Sequence, residues 1–138
     1  MFCTELDSAL VKRADSLVSV LARNNGDGSV TLVPLPREAQ IAPVYGMLAR
    51  DFDRDGNLDL LLAGNLAGVQ PAFGSMLGSY GLLLRGNGRG EFAVVRGSES
   101  GFIVPGQTRD IQRLRTRQGD LYIVARNNDR PLFFRPVR

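Results

Sequence analysis

An all-β fold is the reading that three features of this sequence support together. Short apolar runs recur along the chain, each bounded by Gly, Asn, Asp or Pro. The 16 glycines and 7 prolines fall between those runs as punctuation, a grammar of turn-rich β proteins and not of helical bundles. An Asn-Gly-x-Gly turn also occurs twice, at Asn25-Gly26-Asp27-Gly28 and at Asn87-Gly88-Arg89-Gly90.

Taken in order, residues 1–16 form an N-terminal extension. Leu6, Leu10, Ala14 and Leu17 recur there at helical spacing, which predicts a short helix over residues 5–14. Nine strands are predicted after it, near residues 17–23, 30–35, 44–49, 58–64, 80–85, 92–96, 108–114, 121–126 and 132–135. Asn and Gly accept the positive φ that tight hairpin turns demand, so each Asn-Gly-x-Gly segment joins its flanking runs as a hairpin. Residues 66–79, rich in Gly and Ala and including Gln70, Phe73 and Met76, form a long connection between the fourth and fifth runs. Ordered loops of that length are often functional, so this one is either a plain inter-strand link or a ligand-binding loop.

The runs belong to an internal repeat. Ser19-Val20-Leu21-Ala22-Arg23-Asn24-Asn25-Gly26 aligns with Gly81-Leu82-Leu83-Leu84-Arg85-Gly86-Asn87-Gly88, and Asp59-Leu60-Leu61-Leu62-Ala63 aligns with Asp120-Leu121-Tyr122-Ile123-Val124. The period, about 60 residues, is within the range of β-propeller-type blades of four antiparallel strands and somewhat long for one, the extra length falling in residues 66–79. Residues 17–138 then make a repeat region: a half blade at 17–35, a full blade at 44–96 and a partial blade at 108–135. This is a partial propeller of about two to three blades. A closed ring needs typically four to eight. The chain is therefore expected to be part of a larger protein or one subunit of an assembly.

Composition excludes many functions. With 138 residues, 43% hydrophobic and 22% charged, the chain forms a globular core and is not a disordered tail. It has a net charge of +3 and a pI near 9.6, but its basic residues are scattered singly and not interleaved with aromatics. Arg109, Arg113, Arg115 and Arg117 are the only cluster and read as a solvated strand face, so no nucleic-acid partner is expected. Cys3 is the single cysteine and there is no histidine, which removes intramolecular disulfides, multi-thiolate zinc, and every triad or general base that needs His. Cys3 has no base to activate it, and no catalytic residue is assigned. No apolar run reaches the length of a membrane helix, and residues 1–10 lack the pattern of a signal peptide. Membrane insertion is not expected; the chain is either cytosolic or a piece of a longer protein.

The chemistry is concentrated in Asp51-Phe52-Asp53-Arg54-Asp55-Gly56-Asn57-Leu58-Asp59. Calcium takes six to eight hard oxygen ligands, and side chains at alternating positions of a tight loop converge on one ion. Asp51, Asp53 and Asp55 are the first three candidates, Gly56 permits the bend, Asn57 offers its backbone carbonyl, and Asp59 closes the site. An EF-hand would need Glu where Leu62 stands, and a helix on each side, whereas apolar strand-like runs flank this loop. The alternative, a solvated acidic turn, leaves four carboxylates repelling one another beside only Arg50 and Arg54.

On these residues the chain resembles the FG-GAP or VCBS repeats of integrin-α-type β-propellers and large bacterial surface proteins. The 51–59 loop with Leu60-Leu61-Leu62-Ala63-Gly64 looks like that family's calcium loop and following strand. Residues 24–28 and 87–90 look like its turns between third and fourth strands, and residues 108–134 resemble the closing segment of long secreted bacterial members. One departure matters: in the next repeat Gln112, Leu114 and Thr116 stand opposite Asp51, Asp53 and Asp55, and only Asp120 matches Asp59. One calcium site is therefore expected. The resemblance implies a non-catalytic, extracellular, cell-surface or periplasmic adhesion module that recognises protein or carbohydrate. Two other readings stand beside it: a substrate-binding propeller attached to a secreted enzyme, and a self-assembling piece whose partner is a second copy or the remaining blades.

Overall fold

The computed structural model describes residue 10, residues 12–69, residue 72 and residues 74–136. Among these residues run nine strands: β1 Val20–Asn24, β2 Val30–Pro34, β3 Val44–Arg50, β4 Asp59–Gly64, β5 Leu82–Gly86, β6 Phe92–Val95, β7 Thr108–Thr116, β8 Gly119–Arg126 and β9 Leu132–Phe134. They form three antiparallel sheets ordered β1-β2, β3-β4-β5-β6 and β7-β8-β9. The protein is all-β, and each predicted run lies on one strand. Of the helix predicted over residues 5–14, residues 5–9 and 11 lie outside the described residues, as do Cys3, Gln70 and Phe73, while the described Leu10, Lys12, Arg13 and Ala14 are not helical. Helical structure among the described residues includes a 3₁₀ turn at Arg37–Gln40 and a four-residue helix at Gly97–Ser100, and none of their helices is long and apolar enough to cross a membrane.

Each sheet is a meander because its turns are built locally. In the β1-β2 hairpin the Asn25 N–H donates to the Ser29 carbonyl at 3.1 Å; in β5-β6 the Asn87 N–H donates to the Glu91 carbonyl at 3.2 Å. Gly26 and Gly28 in the first turn, and Gly88 and Gly90 in the second, all have positive φ. The same four-residue code thus folds twice into the same turn. The side chains beneath differ in chemistry but not in role: Asn25 donates to the Ser29 hydroxyl at 2.8 Å, and Asn87 to the Glu91 carboxylate at 2.6 Å.

β4 is buried along its whole length, and strand alternation sends its residues into two cores. Leu61 and Ala63 pack with Ile111 and Val124 of the third sheet and with Phe102 and Val104 from the connection leading into it. Leu60 and Leu62 turn the other way and pack with Leu84 and Ala39, flanked by Leu35 at the end of the first hairpin. The second sheet is therefore covered on both faces, which explains why Leu60-Leu61-Leu62-Ala63 is a continuous apolar run and not an alternating one.

The second and third sheets meet along their first strands. At Gly46 of β3 an added Cβ would sit 2.8 Å from the Ile111 side chain, so only glycine allows this approach. The Arg109 guanidinium lies over the Tyr45 ring, 5.0 Å from its centroid. Asp120 of β8 accepts from Arg50 of β3 at 2.7 Å, with Arg113 at 3.8 Å. Arg109, Arg115 and Arg117 are exposed, as a solvated face requires, whereas Arg113 is half-buried beside Asp120.

After β4, the long connection leaves and returns as a pair: Leu66 and Met76 exchange both backbone hydrogen bonds, at 2.9 and 2.7 Å. Asn65, 2% exposed and with φ 78°, fastens its base. Its side-chain amide donates to the carbonyls of Ser79 at 2.6 Å and Gly106 at 2.8 Å, while its carbonyl accepts from the Ser79 N–H at 2.9 Å. Asn tolerates left-handed backbone better than other side-chain-bearing residues, so it satisfies dihedral and network together. Replacing Asn65 by Ala should lower unfolding free energy by roughly 2–4 kcal/mol, since buried partners lose their bonds and Ala fits the dihedral poorly. Urea denaturation measures this; a loss under about 0.5 kcal/mol, the scale of an ordinary surface change, would contradict it.

Candidate metal centre

The acidic loop joins β3 to β4, whose last pair is Arg50 opposite Asp59. This is the strand-loop-strand setting the sequence predicted. Asp51 organises the turn: one carboxylate oxygen accepts from the Arg54 N–H at 2.6 Å and the other from the Gly56 N–H at 3.0 Å. Gly56 has φ 91° and Arg54 has φ 67°, so the loop bends twice through left-handed backbone, once at a residue with a bulky side chain.

Asp59 is 2% exposed and joins three segments. One oxygen accepts from the Phe52 N–H in the loop and the other from the Gly86 N–H at the end of β5, each at 2.9 Å. A Cβ at Gly86 would strike the Leu58 carbonyl, so this position admits glycine alone. Asp53 accepts from the Asp55 N–H at 3.2 Å and pairs with Arg85 of β5 at 2.7 Å.

These bonds bring one oxygen each from Asp51, Asp53 and Asp59 within 4.8 Å of one another. Of the four predicted carboxylate ligands, three converge. Asp55 does not join that cluster; it accepts from the Asn57 N–H at 2.7 Å, and its bonds to the Asn57 backbone and side chain hold its carboxyl below the usual value. The Asn57 side chain lies against Gly88 of the neighbouring hairpin.

Hard carboxylate oxygens clustered this way suit a hard divalent cation. Each oxygen of Asp59 already accepts one N–H but retains a second lone pair. Asp53 is held by a solvent-exposed ion pair, with side-chain exposure of 32% for Asp53 and 56% for Arg85, and such pairs are worth about 0–1 kcal/mol. A divalent ion competes easily with that.

In the following repeat the acidic loop is missing. β7 runs on to Thr116 and a tight turn leads to β8, so Gln112, Leu114 and Thr116 lie on a strand. Asp120, the counterpart of Asp59, takes its positive charge from Arg50 instead. Among the described residues, the 51–59 loop holds the one cluster of this kind. Sequence reading missed Arg85 and Gly86, which contact the acidic residues from β5. Their one signal was membership of the repeated Arg-then-turn segment.

Phe52 anchors the loop outward by stacking edge-on against Tyr122 of β8, with ring centroids 5.3 Å apart. Burial raises the Tyr122 phenol above its usual pKa. Comparison of the chain with protein-family models, with curated proteins and with solved structures gave no match in any of the three.

The loop's architecture makes a prediction that needs no metal. In chelator, Asp59→Ala strips two N–H donors of their acceptor and should cost roughly 2–5 kcal/mol. Asp53→Asn, which loses only the exposed pair, should cost about 1 kcal/mol or less. Equal losses in urea denaturation would show that Asp59 does not hold the loop to β5.

Proposed function

We propose that the chain is a calcium-binding β-propeller repeat module of a larger extracytoplasmic protein, non-catalytic, whose task is recognition of a protein or carbohydrate. The convergence of Asp51, Asp53 and Asp59 at a strand-loop-strand junction carries this reading. The four-stranded meander β3-β4-β5-β6 supports the blade, with the β1-β2 hairpin and the three strands β7-β8-β9 as the half and partial blades beside it. The resemblance of residues 51–64 to FG-GAP or VCBS repeats supports the family and, through it, the extracellular or periplasmic setting.

In this scheme Asp51, Asp53 and Asp59 hold the cation, and Asp55 and the Asn57 carbonyl complete its shell. Asp51 shapes the turn through the Arg54 and Gly56 N–H groups, and Asp59 ties it to β5. When bound, calcium supplies positive charge that relieves the repulsion among these carboxylates. The role is structural: the ion binds the folded chain and stabilises it by mass action, about 2.7 kcal/mol at a hundredfold excess over Kd.

Isothermal titration of calcium into chelator-treated protein tests this. Saturable one-site binding with a raised thermal midpoint is expected, abolished in Asp53→Ala and weakened in Asp55→Ala. Folded protein that takes up no calcium would overturn the metal site and the proposal with it.

A further inference from the structure

Between the second and third sheets, beside the acidic loop, lies a cavity of about 410 Å³. Four aromatic side chains line it: Phe52 from the loop, Phe102 ahead of β7, Tyr122 on β8 and Phe134 on β9. They stand as two pairs, Phe52 with Tyr122 at 5.3 Å and Phe102 with Phe134 at 4.9 Å between centroids. A pocket of that volume, with aromatic walls and a few polar groups, is of the kind that takes one small ligand.

The charges around it select the ligand. Five charged side chains border the cavity, and three already have partners: Asp59 accepts two backbone N–H groups, and Asp53 and Arg85 neutralise each other. Glu99 and Arg135 remain. They come from different sheets' ends, one on the short helix after β6 and one after β9, and both are exposed. Neither forms an ion pair among the described residues; Arg135 donates only to the Gln118 side chain, at 3.2 Å. Two unpaired charges of opposite sign on one aromatic cavity complement a molecule that carries both signs itself. A simple anion would meet Glu99 and a simple cation would meet Arg135, each with an unfavourable contact.

We propose that this cavity binds a small zwitterion bearing an apolar ring: an aromatic α-amino acid or a short peptide containing one. The guanidinium of Arg135 receives the carboxylate, the carboxylate of Glu99 receives the ammonium group, and the ring lies against the half-buried Phe52 and Phe134, with Phe102 and Tyr122 buried behind them, where edge and face contacts are favourable. This inference names a ligand class beyond the recognition reading above, and it applies to the metal-free state, in which Arg85 stays paired with Asp53.

Titrations followed by calorimetry, in chelator and again in calcium, read the cavity separately from the ion. The probes are L-phenylalanine and glycyl-phenylalanine as zwitterions, with phenylpropionate and phenethylamine as analogues lacking one charge. At least one zwitterion should bind saturably, with each singly charged analogue weaker by about tenfold or more, the value of one charged hydrogen bond. Which zwitterion binds distinguishes a free amino acid from a peptide. Arg135→Gln and Glu99→Gln alter exposed side chains, so they should fold as judged by circular dichroism, and each should weaken the zwitterion by a similar factor. The proposal is overturned if neither zwitterion binds folded protein, if an analogue binds as tightly, or if both variants bind as well as the parent chain. Such a failure, with calcium uptake retained, leaves the metal reading standing.

Discussion

Burial of one carboxylate, Asp59, constrains much of the second sheet. A charged group at 2% exposure is tolerable only if its oxygens are satisfied, and here both are, by the N–H of Phe52 and the N–H of Gly86. Those two donors lie on opposite sides of β4. Through them the acidic loop, the start of the central strand and the end of β5 are fixed to one side chain. The requirement propagates: Gly86 must lack a Cβ to reach its place over Leu58, and the hairpin after it begins at the very next residue. Where β4 lies then decides both cores, since its alternate residues supply each.

Electrostatics around that carboxylate takes two forms in the same chain. In the second sheet, three carboxylate oxygens lie within 4.8 Å of one another with a single guanidinium, from Arg85, on Asp53. In the third, the corresponding Asp120 stands without acidic neighbours from its own repeat and is met by Arg50, with Arg113 further off. A lone carboxylate needs one positive group and finds it in a side chain. Three carboxylates exceed what one exposed arginine offers, which is the physical ground for proposing a divalent cation at this loop.

Much of this was legible in the sequence because it was written locally. Apolar runs of strand length, and the two Asn-Gly-x-Gly turns with their positive φ, fix hairpins without help from distant residues, and all nine runs became strands. The acidic loop was legible for the same reason. What escaped was long-range. Nothing in the spacing announces that Asn65 grips Ser79 and Gly106, that Arg50 crosses to Asp120, or that Arg85 reaches Asp53 from another strand. Asp55 was also placed by pattern alone, whereas its carboxylate is drawn to the Asn57 N–H two residues on, a local bond that competes with convergence. The aromatic cavity was invisible for a plainer reason: its four rings come from four separated stretches of chain.

The most direct test of the central claim is the anomalous difference density of a crystal grown in calcium. A single strong peak, with oxygens of Asp51, Asp53 and Asp59 at about 2.3–2.6 Å and Arg85 released from Asp53, is the expected result. A map without a peak there, with Arg85 still paired to Asp53, would contradict it.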